Sequence, residues 1–289
     1  MATAEATIAR TASARRLRFR HWRRAIAWLA MGLLIFVTLF PFYWVVRTAL
    51  SNNRALAANA SSILPVEPTL GGFKRALGLS TIEEAQAEGG SGASVNFAVA
   101  FRNSVINSTL VTLGTVTFSA MAGYAFARLR FWGRDKLFYL ILAALMVPPI
   151  FTTLPNFVLI KDLGLLNTFP GLVAPYLFMT PFAVFFMRQF FLGISREVEE
   201  AAFLDGSSRW STFWRIILPM SSSSVATLAL LTFIEAWNNY LWPLLIGKGD
   251  DVRVLTVALG VFRAQTPQTA PDWGGLMAAT VVTVLPMIL

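Results

Sequence analysis

Long apolar runs separated by shorter polar segments fill the chain from residue 25 to its end. A helix needs about 20 consecutive apolar residues to cross a bilayer. The pattern therefore predicts an all-α membrane protein with six transmembrane helices, over residues 25–47, 104–127, 137–160, 171–191, 220–246 and 276–289. The last run is too short for a crossing, which favours a truncated C-terminus over a helix that takes residues from the preceding loop.

Prolines and small residues distinguish two of these predicted spans. Pro148, Pro149 and Pro155 fall in the third span, where each removes a backbone donor, so we expect the helix to kink or break there. The second predicted span carries small residues that suit close packing of another helix: Gly114, Ala120, Ala122 and Gly123.

The basic residues set the predicted topology. Of the 24 lysines and arginines, 15 lie in residues 1–24, 128–136 and 188–215, and the other 9 are spread over longer segments on the opposite side. Because basic loops stay in the cytoplasm, both termini are predicted to be cytoplasmic. Residues 1–24 are then a basic cytoplasmic tail, residues 51–101 an extracytoplasmic loop with a flexible glycine-rich tip, and residues 192–219 a cytoplasmic loop.

Composition agrees with a membrane protein and excludes several functions. The chain is 56% hydrophobic and 13% charged, against about 25% charged in a typical soluble domain. Its net charge of +9 is distributed between apolar spans, which argues against nucleic acid as a partner and leaves anionic lipid as a candidate. With no cysteine and a single histidine, we expect no metal site. No G-x-x-x-x-G-K-S/T loop is present, so any ATP and Mg²⁺ must bind another protein, and no cofactor is expected here.

Residues 197–219 form the most informative polar segment. Glu197–Asp205 is rich in helix formers, Gly206 is a natural helix stop, and Ser207 or Ser208 is suited to cap a second short helix. That second helix carries several aromatic side chains. Two short helices with this much apolar surface on a cytoplasmic loop indicate a docking surface for another protein.

The same segment resembles the EAA signature of bacterial ABC importer permeases. The matching residues, at the family's spacing, are Glu200, Ala201, Ala202, Asp205, Gly206, Leu218 and Pro219. Ser207 stands where the family most often has alanine. The resemblance implies a type I ABC importer permease fold, in which the glutamate, the two alanines, the aspartate and the glycine of the signature occupy a cleft of a separate ATPase subunit. Closure of the ATPase dimer on ATP would then move this loop and tilt the helices.

Further motifs resemble the carbohydrate permeases of this family, in particular the second permease of the maltose-type systems. They cover most of the chain from about residue 30 and include Phe42-Tyr43-Trp44, Asn103-Ser104, Gly123–Arg128, Met146-Val147-Pro148 and Ala236-Trp237-Asn238. The resemblance implies a bacterial inner membrane location and import of an oligosaccharide, a polyol or a glycerol phosphate. It also implies three kinds of partner, namely a second permease, an ATPase dimer and an extracytoplasmic binding protein.

Polar residues of the fifth predicted span are candidates for the solute path. Glu235, Asn238 and Asn239 are three and four residues apart, so we expect them on one helix face. Tyr240 and Trp242 follow at once and offer aromatic faces to a sugar. A carboxylate at membrane depth usually faces a cavity or a partner. Polar packing between helices, or a shallower position of Glu235, is the alternative interpretation.

Two other functions compete with an importer subunit. A self-sufficient secondary transporter or channel would need intramembrane charges for ion coupling, and Glu235 is the only candidate in the predicted spans. A membrane enzyme would need a catalytic set of side chains, which a chain with one histidine and no cysteine is poorly equipped to supply. Transport without any ATPase subunit would favour the first of these alternatives.

Overall fold

The computed structural model describes the backbone of residues 2–90, 95–265 and 271–288, and the side chains of this part from Trp22 onward except Arg23. Within these residues the chain forms helices and no β-strand, apart from one isolated bridge between Ser51 and Pro68. This confirms the prediction of an all-α protein.

The first half of the chain contains two long helices with three short ones between them. The helices are α1 Ala2–Ala49, α2 Asn53–Ala58, α3 Gly71–Ala76, α4 Ile82–Ala87 and α5 Phe97–Arg128. The backbone of the predicted tail continues without a break into the first apolar helix. The second apolar helix begins at Phe97 rather than at the predicted Ser104, because Asn96 caps its N-terminus by accepting a hydrogen bond from the Val99 N–H.

The second half of the chain is built from shorter helices. They are α6 Arg134–Ala144, α7 Pro149–Asp162, α8 Phe169–Val173, α9 Pro181–Leu192, α10 Arg196–Leu204, α11 Arg209–Thr212, α12 Leu218–Met220, α13 Ser222–Asn238, α14 Leu241–Ile246, α15 Leu255–Gln265 and α16 Trp273–Ile288. A 3₁₀ turn, Ala174–Tyr176, follows α8, and a π-helical turn, Phe213–Ile217, joins α11 to α12.

The predicted third, fourth and fifth spans are bent rather than straight. α6 and α7 meet at 98° where Pro148 and Pro149 interrupt the backbone hydrogen bonds, whereas Pro155 lies inside α7 without ending it. The α8 segment and α9 meet at 49°, and the α11–α12 segment meets α13 at 79°. The predicted fifth span also ends early, at Asn238, because Asn239 leaves the helical region of backbone space.

α5 lies at the centre of the fold and packs against both α9 and α13. Its predicted small residues explain how closely its neighbours approach. A side chain at Gly114 would collide with the carbonyl oxygen of Leu177, and one at Gly123 would press on Met187 of α9. Ala122 is the exception in the predicted set, since it is only half-buried.

The two predicted outer loops are more ordered than their composition suggested. The loop after α14 contains α15, whose inward face buries Leu255, Ala258 and Phe262. In the first loop, Gly89 and Gly90 of the predicted glycine-rich tip lie so close to Arg54 and Arg75 that a side chain at either position would meet them. Ser91 and Gly92, the rest of that predicted tip, lie outside the described residues.

An ion cluster attaches this first loop to the start of α16. The Nε and Nη2 atoms of Arg75 donate to the two carboxylate oxygens of Asp272 at 2.8 and 3.1 Å, and Nη1 donates to Glu88 Oε2 at 2.6 Å. The Arg75 and Asp272 side chains are almost fully buried. Because removing one partner from a buried pair is costly, the cluster holds the loop firmly against α16.

Candidate functional site

The predicted pair of short helices is present and is separated at Gly206. This glycine has a φ of +81°, a left-handed conformation that residues with a side chain rarely adopt. The N–H groups of Gly206 and Ser207 donate to the carbonyl oxygens of Phe203 and Ala202, at 3.1 and 2.9 Å. This is the Schellman pattern, which satisfies carbonyls that a helix end otherwise leaves unpaired.

The second helix begins directly after this turn. The Ser208 hydroxyl accepts a hydrogen bond of 3.2 Å from a backbone N–H in the first turn of α11, so Ser208 is the cap. The Arg209 guanidinium lies 5.5 Å from the ring centre of Phe203 in α10, and Trp210 and Trp214 meet edge to face. Of these contacts, the one between Arg209 and Phe203 holds α11 against α10.

The outward side of the two helices combines acidic and apolar groups. We call the exposed residues Glu200, Ala201, Leu204, Asp205 and Trp210 the coupling surface. Its Leu204 and Trp210 side chains are 89% and 62% exposed, which is unusual for large apolar groups on a polar loop. The apolar side chains can contact a partner protein, and the carboxylates of Glu200 and Asp205 favour a partner with hydrogen-bond donors or positive charge at the matching positions.

The remaining residues of the predicted motif occupy different environments. Ala202 is buried, so it faces the chain's own core and not the outside. Gly206 and Pro219 are exposed, and Leu218 is half-buried beside a core cluster that includes Phe213 and Ile217. The structure therefore brings five of the predicted positions to the outside, with Ala202 and Leu218 anchoring the segment inward.

Arg128, the last residue of α5, ties this segment to the core. Its Nη2 group donates to the carbonyl oxygen of Phe191 at 2.5 Å and to that of Ile194. Its Nε atom forms an ion pair of 3.2 Å with Glu199 Oε1 of α10, and both side chains are nearly buried. One guanidinium therefore holds the end of α9 and one face of α10.

Burial dominates the electrostatics of Glu199. It raises the pKa of this carboxyl above its ordinary value, and the nearby guanidinium groups of Arg128, Arg196 and Arg209 offset only part of that effect. The carboxylate is therefore more easily protonated than an exposed glutamate. The carbonyl hydrogen bonds of Arg128, and not its ion pair alone, must supply much of the attachment.

The contact between Arg128 and Glu199 was not predicted from the sequence. Arg128 was assigned only to a basic cytoplasmic segment, because a sequence does not show that one arginine of a basic run is buried. A signal for Glu199 was available, since Glu199 and the buried Ala202 are three residues apart and share one face of α10. The motif residue Glu200 lies on the opposite, exposed side.

The predicted path residues separate into two groups. Glu235, Asn239 and Trp242 line one small cavity, whereas Asn238 and Tyr240 lie outside it. The expectation that Asn239 shares a helix face with Glu235 is wrong, because Asn239 is already extended after the end of α13. Asn238 donates back to the carbonyl oxygen of Ile234 at 2.9 Å.

The cavity beside Glu235 has a mixed polar and apolar lining and is small. Its other polar lining residues are Asn107, Thr115, Tyr176, Thr180 and Thr232, and its volume is about 50 Å³. Ligand sites usually measure about 300–1,000 Å³, so this space suits a few water molecules and not a sugar ring. Trp242 is buried and its indole N–H donates to the carbonyl oxygen of Leu172 at 3.1 Å. Glu235 itself is exposed on the surface of the isolated chain.

Among the described residues, no group of three or more metal-ligating side chains comes together. The coupling surface itself offers apolar contacts and carboxylate charge. Its functional meaning depends on what docks there.

Comparison with known proteins identifies the family. Residues 115–289 match the model of the binding-protein-dependent transport system inner membrane component. The chain is 36% identical over 67% of its length to the diacetylchitobiose uptake system permease protein NgcG of Streptomyces coelicolor, of which it spans 64%. It is 31% identical over 92% of its length to the trehalose/maltose transport system permease protein MalG of Thermococcus litoralis, of which it spans 90%.

A further relative and one solved structure agree with these matches. The chain is 36% identical over 68% of its length to the sn-glycerol-3-phosphate transport system permease protein UgpE of Yersinia pestis, of which it spans 69%. Its fold matches a chain in the crystal structure of a bacterial ABC transporter involved in the import of the acidic polysaccharide alginate, with a TM-score of 0.76, 20% identity and 91% of both chains covered. The resemblance seen in the sequence motifs is thereby confirmed, and the chain belongs to the family of inner membrane components of binding-protein-dependent transport systems.

Proposed function

We propose that the protein is a transmembrane permease subunit of an ATP-driven importer. The solute would be a carbohydrate or a related polyol or glycerol phosphate, moved across the bacterial inner membrane by alternating access. The named relatives support this solute class, since they serve uptake of diacetylchitobiose, trehalose and maltose, and glycerol phosphate. Selection among these solutes lies with a binding protein outside the membrane.

The observation that carries the proposal is the coupling surface. Two short helices held against each other present Leu204 and Trp210 outward between the carboxylates of Glu200 and Asp205. An apolar projection of this kind suits a cleft in a partner. ATP and Mg²⁺ would bind that partner, an ATPase dimer, while this chain hydrolyses nothing and binds no cofactor itself. A second permease and the binding protein would complete the assembly.

The proposed topology has six spans with both termini in the cytoplasm. Two helices, Arg24–Ala49 and Phe97–Arg128, have the length and hydropathy to cross a membrane, and three bent helix pairs pass the same test together. α16, with 16 apolar-rich residues, would be the sixth span. In this arrangement the coupling surface and residues 1–24 share the cytoplasmic side, and residues 51–101 lie on the opposite side.

The path of the solute is proposed to run along the exposed side of α13. Glu235 is the charged residue there, and an exposed carboxylate at membrane depth needs water or a partner beside it. The small cavity next to it would be the closed form of a polar surface shared with the second permease. Asn239 and the buried Trp242 support this surface from the cavity wall, while Asn238 and Tyr240 are assigned to its surroundings.

The test of the coupling surface uses Gly206→Val in the full assembly reconstituted with its ATPase and binding protein. No atom lies within 4 Å of an added Cβ, so the strain comes only from the positive φ. A β-branched residue resists this conformation by about 1–2 kcal/mol, which distorts the turn between α10 and α11. We expect ATP hydrolysis to continue while solute uptake falls severalfold.

Gly206→Asn is the matched control, because asparagine tolerates a positive φ better than valine does. Uptake in this variant should stay near the unmodified level. Equal, normal uptake with valine and asparagine would refute the coupling role of the turn. Uptake by this chain without any ATPase subunit would instead establish the rival function, a self-sufficient transporter or channel.

A further inference from the structure

A large cavity lies at the C-terminal end of α1, away from the coupling surface. It is enclosed by the last turns of α1, by α2 and by the first turns of α16, and its volume is about 690 Å³. That volume falls within the range of about 300–1,000 Å³ that is usual for small-ligand sites. Its lining includes Trp44, Arg47, Asn53, Arg54 and Trp273.

Arg47 has an unusual charge environment in this cavity. The residue is only 2% exposed, its Nε donates to the carbonyl oxygen of Leu64 at 3.3 Å, and its Nη2 has no hydrogen-bond partner among the described residues. No described carboxylate lies within ion-pair distance of Arg47. The buried Arg75 and Arg128, by contrast, each face at least one carboxylate.

The positive charge of Arg47 is buried without an opposite charge beside it among the described residues. A buried cation is costly unless an opposite charge accompanies it. Arg54, an exposed residue of α2, also lines this cavity; its Nη2 donates to the carbonyl oxygen of Gln86 at 3.5 Å, and no described carboxylate lies within ion-pair distance of it. The cavity therefore has two cationic groups and calls for an anion.

The other walls define what kind of anion fits. Asn53 adds no free donor, because its amide group donates to the carbonyl oxygens of Gly89 and Pro271 and its Oδ1 accepts from the Gly274 N–H. The Trp44 ring lies 4.9 Å from the Arg47 guanidinium carbon. Most of the lining is apolar, so the ligand must carry an uncharged portion beside its anionic group.

The position in the fold is that of a membrane interface. Trp44 and Arg47 lie in the last two turns of the apolar segment Arg24–Ala49, most of whose side chains are exposed. Tryptophan at the end of an apolar span marks the level of lipid headgroups. The guanidinium fork suits phosphate, whose several oxygens accept hydrogen bonds from two arginines at once.

We propose that this cavity binds a phosphate anion through Arg47 and Arg54, carried either by a phospholipid headgroup or by a free phosphate compound. The tryptophans and the apolar lining hold the part of the ligand next to the phosphate. The site does not depend on the transport activity, and it is separate from both the coupling surface and the cavity beside Glu235.

The test uses the full chain, purified in phosphate-free detergent with the subunits that accompany it. Three probes are titrated, namely a short-chain phosphatidylglycerol, sn-glycerol 3-phosphate and inorganic phosphate, and bound ligand is counted by native mass spectrometry. Arg47→Gln removes the charge and is expected to weaken binding about tenfold or more, since one charged hydrogen bond is worth that much. Binding of the lipid probe alone identifies the bilayer as the source, and binding of the soluble probes identifies a free compound.

Two further variants keep the result interpretable. Ala57→Trp fills the cavity from the exposed helix α2 while leaving Arg47 in place, so it should weaken binding even if Arg47→Gln fails to fold. Arg263→Gln, at an exposed arginine outside the cavity, should bind like the unmodified chain. If no probe binds, or if the Ala57→Trp variant binds a probe as well as the control does, the proposal is overturned.

Discussion

Arg128 is expected to hold the coupling segment mainly through backbone carbonyls. Its guanidinium donates to the carbonyl oxygens of Phe191 and Ile194 at the end of α9, and it pairs with Glu199 on α10. Arg128→Met removes all of these contacts and keeps an unbranched apolar stem of similar length. Glu199→Gln removes only the charge of the carboxylate. The two variants therefore separate the carbonyl contacts from the ion pair.

The expected magnitudes differ because burial weakens the ion pair. Hydrogen bonds from a charged donor contribute about 1.5–3 kcal/mol each, so losing two of them should cost about 3 kcal/mol or more. Glu199→Gln should cost less, because glutamine keeps a side-chain oxygen beside the Arg128 guanidinium and because burial already raises the pKa of Glu199 and so disfavours its charged form. Local opening of α10 should follow this order.

Hydrogen exchange of the α10 amides measures that opening directly. A loss of about 3 kcal/mol corresponds to roughly a hundredfold faster exchange. Arg130→Met is the control, since Arg130 is exposed two residues further along the same basic segment. Exchange accelerated as much by Glu199→Gln as by Arg128→Met would show that the ion pair holds the segment, and the reasoning from the carbonyls would be refuted.

Two further predictions concern the carboxylates. The raised pKa of Glu199 means that the folded state keeps this proton longer than the unfolded state does, so its stabilising contribution is present below the ordinary glutamate value and is lost as pH rises through the raised value. The protection factors of the α10 amides, which relate the intrinsic exchange rate at each pH to the observed one, should fall as pH rises, and Glu199→Gln should remove that slope. Glu235→Ala should change solute affinity or basal ATP hydrolysis of the assembly, whereas Asn238→Ala, whose amide donates within its own helix, should change neither. Unchanged values in the Glu235 variant would leave polar packing as its role.

The apolar runs predicted the order of the spanning segments along the chain. They predicted only some of the bends and only some of the residues at which helices begin and end. Proline chemistry located the break at Pro148 and Pro149, yet it suggested a similar effect at Pro155, which α7 accommodates. The early end of α13 had no comparable signal, because Asn239 leaves the helix where its carbonyl oxygen accepts a hydrogen bond from Thr256 of a distant segment. Such long-range partners are not visible in local sequence.

In the candidate site, too, the features set by a single residue type were predictable and those set by distant contacts were not. Gly206 was assigned correctly as a helix stop because glycine is the residue that a left-handed helix end requires. The environments of Arg128 and Glu199 were not predictable, since both residues look like ordinary members of polar segments. Trp242 was interpreted as a surface for sugars, but it forms part of a buried cluster with Leu172, and aromatic type alone does not distinguish these environments.

In the proposed mechanism, α5 is one element that carries movement of the coupling surface to the rest of the chain. The turn at Gly206 and the contact of Arg209 with Phe203 hold α10 and α11 together, and Arg128 joins α10 to the end of α5. α5 packs along both α9 and α13, and Gly123 allows the close approach to α9. Because packed helices move as rigid elements, a displacement of α10 reaches α5 through Arg128, and a displacement of the π-helical turn reaches α5 through the contact of Phe213 with Tyr124. Loss of Arg128 should therefore weaken the connection of α10 to α5 while the contact between Phe213 and Tyr124 remains.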